Sequence, residues 1–227
     1  MNAYLLPDQS REYVSAREKL RDAEIELMLQ RERVAALRRA LPRNEPVRDD
    51  WRFREGPADL GSGDAPVREL PLADLFRDPG KPLMLMHFMY GGAQKSPCPM
   101  CTLWADGYDG VIPHLAQRVD FAIAIAGDLA TFRAHARERG WRHVRIVSCV
   151  GSGFKRALGF EDENGGQSPG MSVFERDADR GVTHFYSGGA RLSAEHFRGM
   201  DLLSPLWNFL DLTPEGRGEF MPKKKYD

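Results

Sequence analysis

Cys98 and Cys101 stand two residues apart in Cys98-Pro99-Met100-Cys101, between two contrasting stretches. Upstream lies the continuous apolar run Pro82-Leu83-Met84-Leu85-Met86-His87-Phe88-Met89-Tyr90, of strand length, and then a loop holding Gly91 and Gly92. Downstream, Thr102-Leu103-Trp104-Ala105-Asp106 opens a helix-like pattern. A dithiol at a helix start is a redox device. The first thiol faces unpaired N–H groups and the positive end of the helix dipole, which favour a thiolate. Such a setting lowers a cysteine pKa from about 8.5 to between about 3.5 and 7.5. The second thiol, one turn on, is within reach to resolve a mixed disulfide. Pro99 suits the first helical turn, where its missing N–H costs nothing.

A Cys-x-x-Cys pair is also half of a zinc site. Two further ligands are needed, and the only other cysteine is Cys149, six residues after His143, with no second close pair. Cys149 closes an apolar strand-like stretch, so it is expected to be unpaired and buried, the default for a small apolar thiol. Trp104 and Tyr108, four apart on the helix after the dithiol, read as packing residues. Asp106 and Asp109 read as a solvated helix face, and His184 is given no role.

The elements that must position this pair are legible from periodicity. Residues 10–41 contain no Gly or Pro and read as one long helix, ended by Pro42. Its apolar residues, Tyr13, Ala16, Leu20, Ala23, Leu27, Val34, Leu37 and Leu41, follow an alternating three-four spacing interrupted by Gln30. That seam fits a helix of a partner subunit or the surface of its own domain. A helix of about 30 residues spans about 45 Å, so part of it is expected to project, and a homodimer or larger assembly through it follows. Residues 42–80 are rich in Pro, Gly and Asp, with strand-like pieces at 51–54 and 67–70 either side of Gly61-Ser62-Gly63-Asp64, a hairpin pattern. One helical turn follows at 72–76. Strands are then expected at 82–90, 119–125 and 144–149, with helices at 99–117 and from an Asp128 cap to Arg139, stopped by Gly140. A short helix at 154–158 precedes a hairpin of 171–174 with 182–186. A last helix at 194–210 is expected to break near Pro205. The order gives an α/β fold with a sheet part parallel and part antiparallel.

Bulk properties bound the function. With 227 residues and 42% hydrophobic content the chain can bury one core of ordinary size plus an appendage. A net charge of −1 offers neither a nucleic-acid surface nor an acidic tail. Lys223-Lys224-Lys225 reads as a solvated tail. No apolar stretch approaches the roughly 20 residues that cross a bilayer, and residues 1–8 lack a basic and apolar leader pattern. Three cysteines, an odd count, fit a reducing compartment, so a cytoplasmic location is expected.

The dithiol at a strand-to-helix turn, followed by βαβ, a hairpin and a helix, resembles the thioredoxin fold. In that fold a cis-proline precedes the first hairpin strand and faces the dithiol; Pro169, in Ser168-Pro169-Gly170-Met171-Ser172-Val173-Phe174, matches the place. The resemblance also implies a proton-moving group on the strand beneath the cysteines, a role that falls to His87, against the alternative of a hydrogen-bonded core histidine. His87-Phe88-Met89-Tyr90-Gly91, the stretch from Cys98 to Gly110, residues 169–174 and Leu210-Asp211-Leu212-Thr213-Pro214-Glu215-Gly216-Arg217 are similar to a bacterial thioredoxin-like family of unknown function, loosely called predicted dithiol–disulfide oxidoreductases. The long N-terminal helix belongs to that resemblance. It diverges at 159–169, a Gly-rich loop expected to border the dithiol. The expected organisation is a helical arm at 1–42, a hairpin and connector at 43–80, a thioredoxin-like domain at 81–216 and a tail at 217–227.

These readings converge on a thiol–disulfide oxidoreductase acting on a protein or small-molecule disulfide, with no bound metal or organic cofactor. Cys98 attacks, Cys101 resolves and Pro169 shapes the groove. A thiol peroxidase is a rival, since 67–88 resembles the entry to peroxiredoxin-type domains. Such enzymes place Thr or Ser three residues before the reactive cysteine, where this chain has Lys95. A metal-delivery or assembly protein, holding a soft ion on the dithiol with a nearby His, is the other.

Overall fold

A computed structural model describes residues 6, 8–43, 45–47, 50–78 and 80–226. Most of the stretch read for a leader therefore lies outside the described residues, as does the last residue of the tail. The chain divides into two compact units, Met1–Pro42 and Arg43–Asp227.

The first unit is a single helix, α1 (Arg11–Arg39). Ser10 caps it, its hydroxyl accepting the Tyr13 N–H at 3.1 Å, and Arg38 and Arg39 sit in the last turn where the dipole favours cations. No residue of α1 is buried: Leu20, Leu27 and Leu37 of the expected seam are all exposed.

The second unit is built on one eight-stranded sheet in the order β1-β8-β7-β4-β5-β6-β2-β3. In chain order these are β1 (Glu45–Pro46), β2 (Arg52–Glu55), β3 (Arg68–Pro71), β4 (Leu83–Gly91), β5 (Asp120–Ala126), β6 (Ile146–Ser148), β7 (Gly170–Asp177) and β8 (Gly181–Gly189). Strands β4, β5 and β6 are parallel, joined through α2 (Pro99–Leu115) and α3 (Leu129–Arg139). Strand β7 runs antiparallel to β4 and forms the hairpin with β8. The β2–β3 hairpin joins the same sheet through β6. This is the thioredoxin-like arrangement, extended at one edge by the N-terminal hairpin.

Strand β4 reads as an unbroken apolar run because it lies mid-sheet with both faces covered. Its period of two divides its side chains. Met86, Phe88 and Tyr90 join Cys101, Trp104, Ala105, Phe132 and Trp141 in one apolar cluster, under α2 and α3. Leu83 and Leu85 join Phe53, Leu75, Val147, Cys149, Phe154 and Phe174 in the cluster on the other face. Asp128 caps α3 through the Thr131 N–H at 2.7 Å, and Gly140 ends it in the left-handed region, both as expected.

The last expected helix is shorter than its pattern. Residues 194–200 are irregular, a 3₁₀ turn covers Asp201–Leu203, and only α5 (Pro205–Leu210) is α-helical. The backbone donors there go across the loop rather than along a helix: Leu192 N–H to His196 O at 2.8 Å and Gly199 N–H to Ala190 O at 2.9 Å. Gly199 packs so closely that a Cβ would sit 2.3 Å from the Gly189 carbonyl oxygen.

Candidate active site

The dithiol sits where β4 hands over to α2. Gly91 leaves the strand with φ of 110°, and a Cβ there would lie 2.1 Å from the Ala126 carbonyl carbon. Only glycine allows that approach. A tight turn closes between Gly91 and Gln94, and Ala93 donates its N–H to Gly165 O at 2.9 Å. The divergent 159–169 loop thus packs against the turn that leads to the cysteines.

Cys98 is the N-cap of α2 and Pro99 its first residue. The Cys98 N–H donates to Met89 O at 3.2 Å, and its carbonyl accepts both the N–H and the hydroxyl of Thr102 at 2.9 Å. The two thiols differ in exposure: Cys98 is half-buried and Cys101 fully buried. The Cys98 pKa is lowered to about 6, chiefly by a hydrogen bond from the Cys101 thiol, with help from the N–H groups of Cys101 and Met100 and the charge of Lys224, against the opposing effect of burial. Burial pushes the Cys101 thiol well up, and the interaction with Cys98 adds to it, while the Met89 N–H opposes. One thiol is poised as an anion at neutral pH and the other is held protonated beside it.

Lys155, which sequence reading passed over, lies behind the pair. It belongs to α4 (Phe154–Ala157) and is 1% exposed. Its ammonium donates to Phe88 O at 2.8 Å and to Gln167 Oε1 at 2.5 Å. Burial lowers its pKa to about 8, against the raising influence of Cys149, Cys101 and Glu161. The Phe88–Met89 peptide therefore stands between lysine and thiol: its carbonyl accepts from Lys155, and its N–H dipole favours the Cys101 thiolate. A cavity of about 320 Å³, lined in part by Gly92, Cys149, Lys155 and Glu161, adjoins this lysine.

His87 is corrected from a proton carrier to a core histidine. As an odd-numbered β4 residue it lies on the sheet face away from α2, stacked on Phe154 and Phe160 with ring centroids 5.4 and 3.8 Å away. Its Nε2 pairs with Ser172 Oγ at 2.8 Å, and the chain continues through Ser187 to His184. Burial lowers its pKa well below the ordinary value, so it is neutral.

Pro169 requires a second correction. It does precede the first hairpin strand, but the Ser168–Pro169 bond is trans; the cis bond among the described residues is Ala65–Pro66. Pro169 lines a cavity of about 620 Å³ with Gly159, Phe160, Ser168, Gly189, Ala190, Arg191 and Phe197, and neither dithiol cysteine lines it. Phe160 packs over Gly170, the residue after Pro169, and its ring stacks on His87.

Cys149 is buried and unpaired as expected, its thiol donating to Ile125 O at 3.1 Å, with burial raising its pKa to about 12. Asp106 and Asp109 are not a solvated face. Asp106 binds Arg139 through both oxygens at 2.6 and 3.1 Å and accepts Trp141 Nε1–H at 2.7 Å. Asp109 accepts the N–H groups of Arg142, His143 and Val144. The lysine tail is likewise not merely solvated, since Lys224 Nζ donates to Pro97 O at 3.2 Å. Among the described residues no cluster of three or more His, Cys, Asp or Glu is arranged to hold a metal, and no helix is long and apolar enough to cross a membrane.

Solved structures similar to this chain include a mitochondrial 2-Cys peroxiredoxin from Plasmodium falciparum (12% identity, TM-score 0.46, covering 80% of this chain and 100% of that one). Others are Mycobacterium tuberculosis AhpC (14%, 0.47, covering 72% and 89%) and a putative thioredoxin reductase from Burkholderia cenocepacia (16%, 0.47, covering 72% and 96%). At that distance no residue role is carried over from them. No curated protein matches the chain. A family model described as a bacterial protein of unknown function, DUF899, matches residues 7–227, and the chain belongs to that family.

Proposed function

We propose that this chain is a dithiol–disulfide oxidoreductase whose reacting pair is Cys98 and Cys101. The observation that carries the reading is the division of labour at the start of α2: a half-buried thiol at the N-cap, favoured as thiolate chiefly by the Cys101 thiol and further by helix N–H groups, beside a fully buried one that stays protonated.

The chemistry balances without a bound cofactor. The Cys98 thiolate attacks one sulfur of a substrate disulfide; a Cys98–S bond forms, the substrate S–S bond breaks, and the departing thiolate takes a proton from solvent. Cys101 then gives its proton to solvent and attacks Cys98 Sγ, closing the Cys98–Cys101 disulfide and releasing the second substrate thiolate, which takes up a proton in turn. The substrate gains two electrons and the dithiol loses two. An external dithiol restores the reduced pair. Lys155 serves the second step: its charge on the Phe88 carbonyl polarises the Met89 N–H aimed at Cys101, favouring the thiolate as it forms. Pro169 and His87 have no part in this scheme.

The test is a stalled intermediate. Cys101→Ser, incubated with glutathione disulfide, is expected to hold one glutathione per chain on Cys98, seen by intact mass and removed by dithiothreitol. Wild type is expected to release it and form the internal disulfide, and Cys98→Ser to take up none. Attachment to Cys101 in preference to Cys98, or no attachment together with stoichiometric soft metal in the purified protein, would overturn the reading.

A further inference from the structure

Resting on that reading, we propose that Lys224 is an electrostatic positioning residue for the attacking thiol, held over the mouth of α2 by a strap made of residues 222–226. The sequence separates this lysine from the dithiol by the whole hairpin and α5, and only the fold brings them together. Its ammonium rests on the carbonyl of Pro97, the residue immediately before Cys98. The hold is built from several contacts rather than one. Arg139 of α3 donates to the Lys224 carbonyl, donates to the Tyr226 hydroxyl at 2.8 Å and lies 5.0 Å above the Tyr226 ring. The same guanidinium is itself fixed by Asp106 of α2 through two hydrogen bonds, and Asp106 is fixed by Trp141. Arg139 is largely buried, with 11% of its side chain exposed. Asp106, Arg139 and the strap thus form a clamp that sets the Lys224 ammonium on the residue before the reactive cysteine.

The charges around Cys98 decide what this clamp does. On α2 the neighbouring acid, Asp106, is neutralised by Arg139. On α3, half-buried His135 faces the site through Thr102, its Nε2 3.2 Å from the hydroxyl that also binds the Cys98 carbonyl, and burial keeps its pKa low. On the preceding loop, Lys95 turns its ammonium onto Gly92 O at 2.7 Å. From behind, Lys155 is engaged with the Phe88 carbonyl on the Cys101 side. Lys224 is a cation whose charge favours the Cys98 thiolate, which lies in its field. The structure therefore gives the strap a task that a packing element alone would not have: stabilising the anion that attacks and, in the encounter, the anionic sulfurs of the exchange.

The experiment is the pH profile of iodoacetamide alkylation of Cys98 in the reduced full chain, followed by peptide mass, for wild type, Lys224→Gln, Lys224→Arg and Arg139→Gln. Lys224→Gln is expected to slow alkylation roughly threefold at pH 6, about what one unit charge supplies a few ångströms away in water-rich surroundings. The rate plateau at high pH is expected not to fall, because the variant lowers the thiolate fraction and leaves a thiolate at least as nucleophilic. Lys224→Arg is expected to restore the wild-type profile, and Arg139→Gln to reproduce the Gln variant by releasing the strap. Added salt is expected to shrink the difference between wild type and Lys224→Gln. An unshifted midpoint in Lys224→Gln overturns the proposal, as does a loss of rate equal at every pH. The proposed activity is tested apart from it: if Cys101→Ser traps no glutathione on Cys98 and wild type forms no internal disulfide with glutathione disulfide, the oxidoreductase reading fails, whatever the alkylation profiles show.

Discussion

At the scale of single residues, identity and environment play different parts. Cys98 and Cys101 were legible because their spacing and the flanking strand and helix patterns are all local. Lys155 and Lys224 were not, because nothing near them in sequence says that α4 ends behind β4 or that the tail returns to Pro97. For His87 the sequence leaves two readings open, because being on the right strand is half of a placement; the period of two puts it on the face away from α2 and decides for the core histidine. Lys155 gives two testable outcomes. Lys155→Met is expected to leave the attack by Cys98 intact but slow closure of the Cys98–Cys101 disulfide roughly tenfold, the equivalent of about 1.4 kcal/mol; stopped-flow of each step separates them, and equal slowing of both steps would contradict the role. Lysine burial also sets a pH dependence. Its folded pKa of about 8 lies below the ordinary 10.5, so between those values the unfolded chain binds more protons and stability rises with pH. Urea unfolding at pH 7.5 and 10 is expected to show wild type gaining up to about 3 kcal/mol relative to Lys155→Met; a falling difference would reverse the assignment.

Elements were read well where a local signal marks both ends, and less well where tertiary contacts set them. The Asp128 and Gly140 caps of α3 are such signals. The helix expected from 194 lacked one, and Gly199 spends its N–H on Ala190 instead. Pro169 occupies the expected place in the strand order, yet residue type and order do not fix the geometry of a peptide bond, and this one is trans. The N-terminal hairpin is fastened to β6 by an ion pair that hydrophobic patterning could not show. Arg145, buried, binds buried Glu55 at 2.6 and 3.2 Å and also caps Leu75 O at 2.5 Å. Burial would raise the Glu55 pKa, but Arg145, Arg77 and Arg68 together hold it down. Glu55→Ala leaves a buried guanidinium without its partner and is expected to cost about 3–5 kcal/mol in urea unfolding; a loss under 1 kcal/mol would show the pair to be dispensable. For α1, the exposed Leu20, Leu27 and Leu37 seam supports a second copy of this chain as its partner. Light scattering is expected to give at least a dimer for the full chain and a monomer once residues 1–42 are removed; an unchanged oligomer would exclude α1 as the contact.

For the molecule as a whole, the central sheet sorts structure from chemistry. One face, with Phe53, Phe154 and Phe174, together with the Glu55–Arg145 pair, anchors the hairpin and holds His87 as part of the packing. The other carries α2 and α3 and leaves the dithiol at the end of β4, with one lysine behind it and another strapped in front. Thiol chemistry at Cys98 is the claim on which the rest depends. The most direct measurement is competitive alkylation of the reduced wild-type chain across pH 4–10, with Cys98 and Cys101 quantified separately. The account predicts that Cys98 is modified first, with its rate half-maximal near pH 6, while Cys101 stays unmodified until the chain is unfolded. Faster labelling of Cys101, or a Cys98 midpoint at the ordinary thiol value of about 8.5, would contradict it.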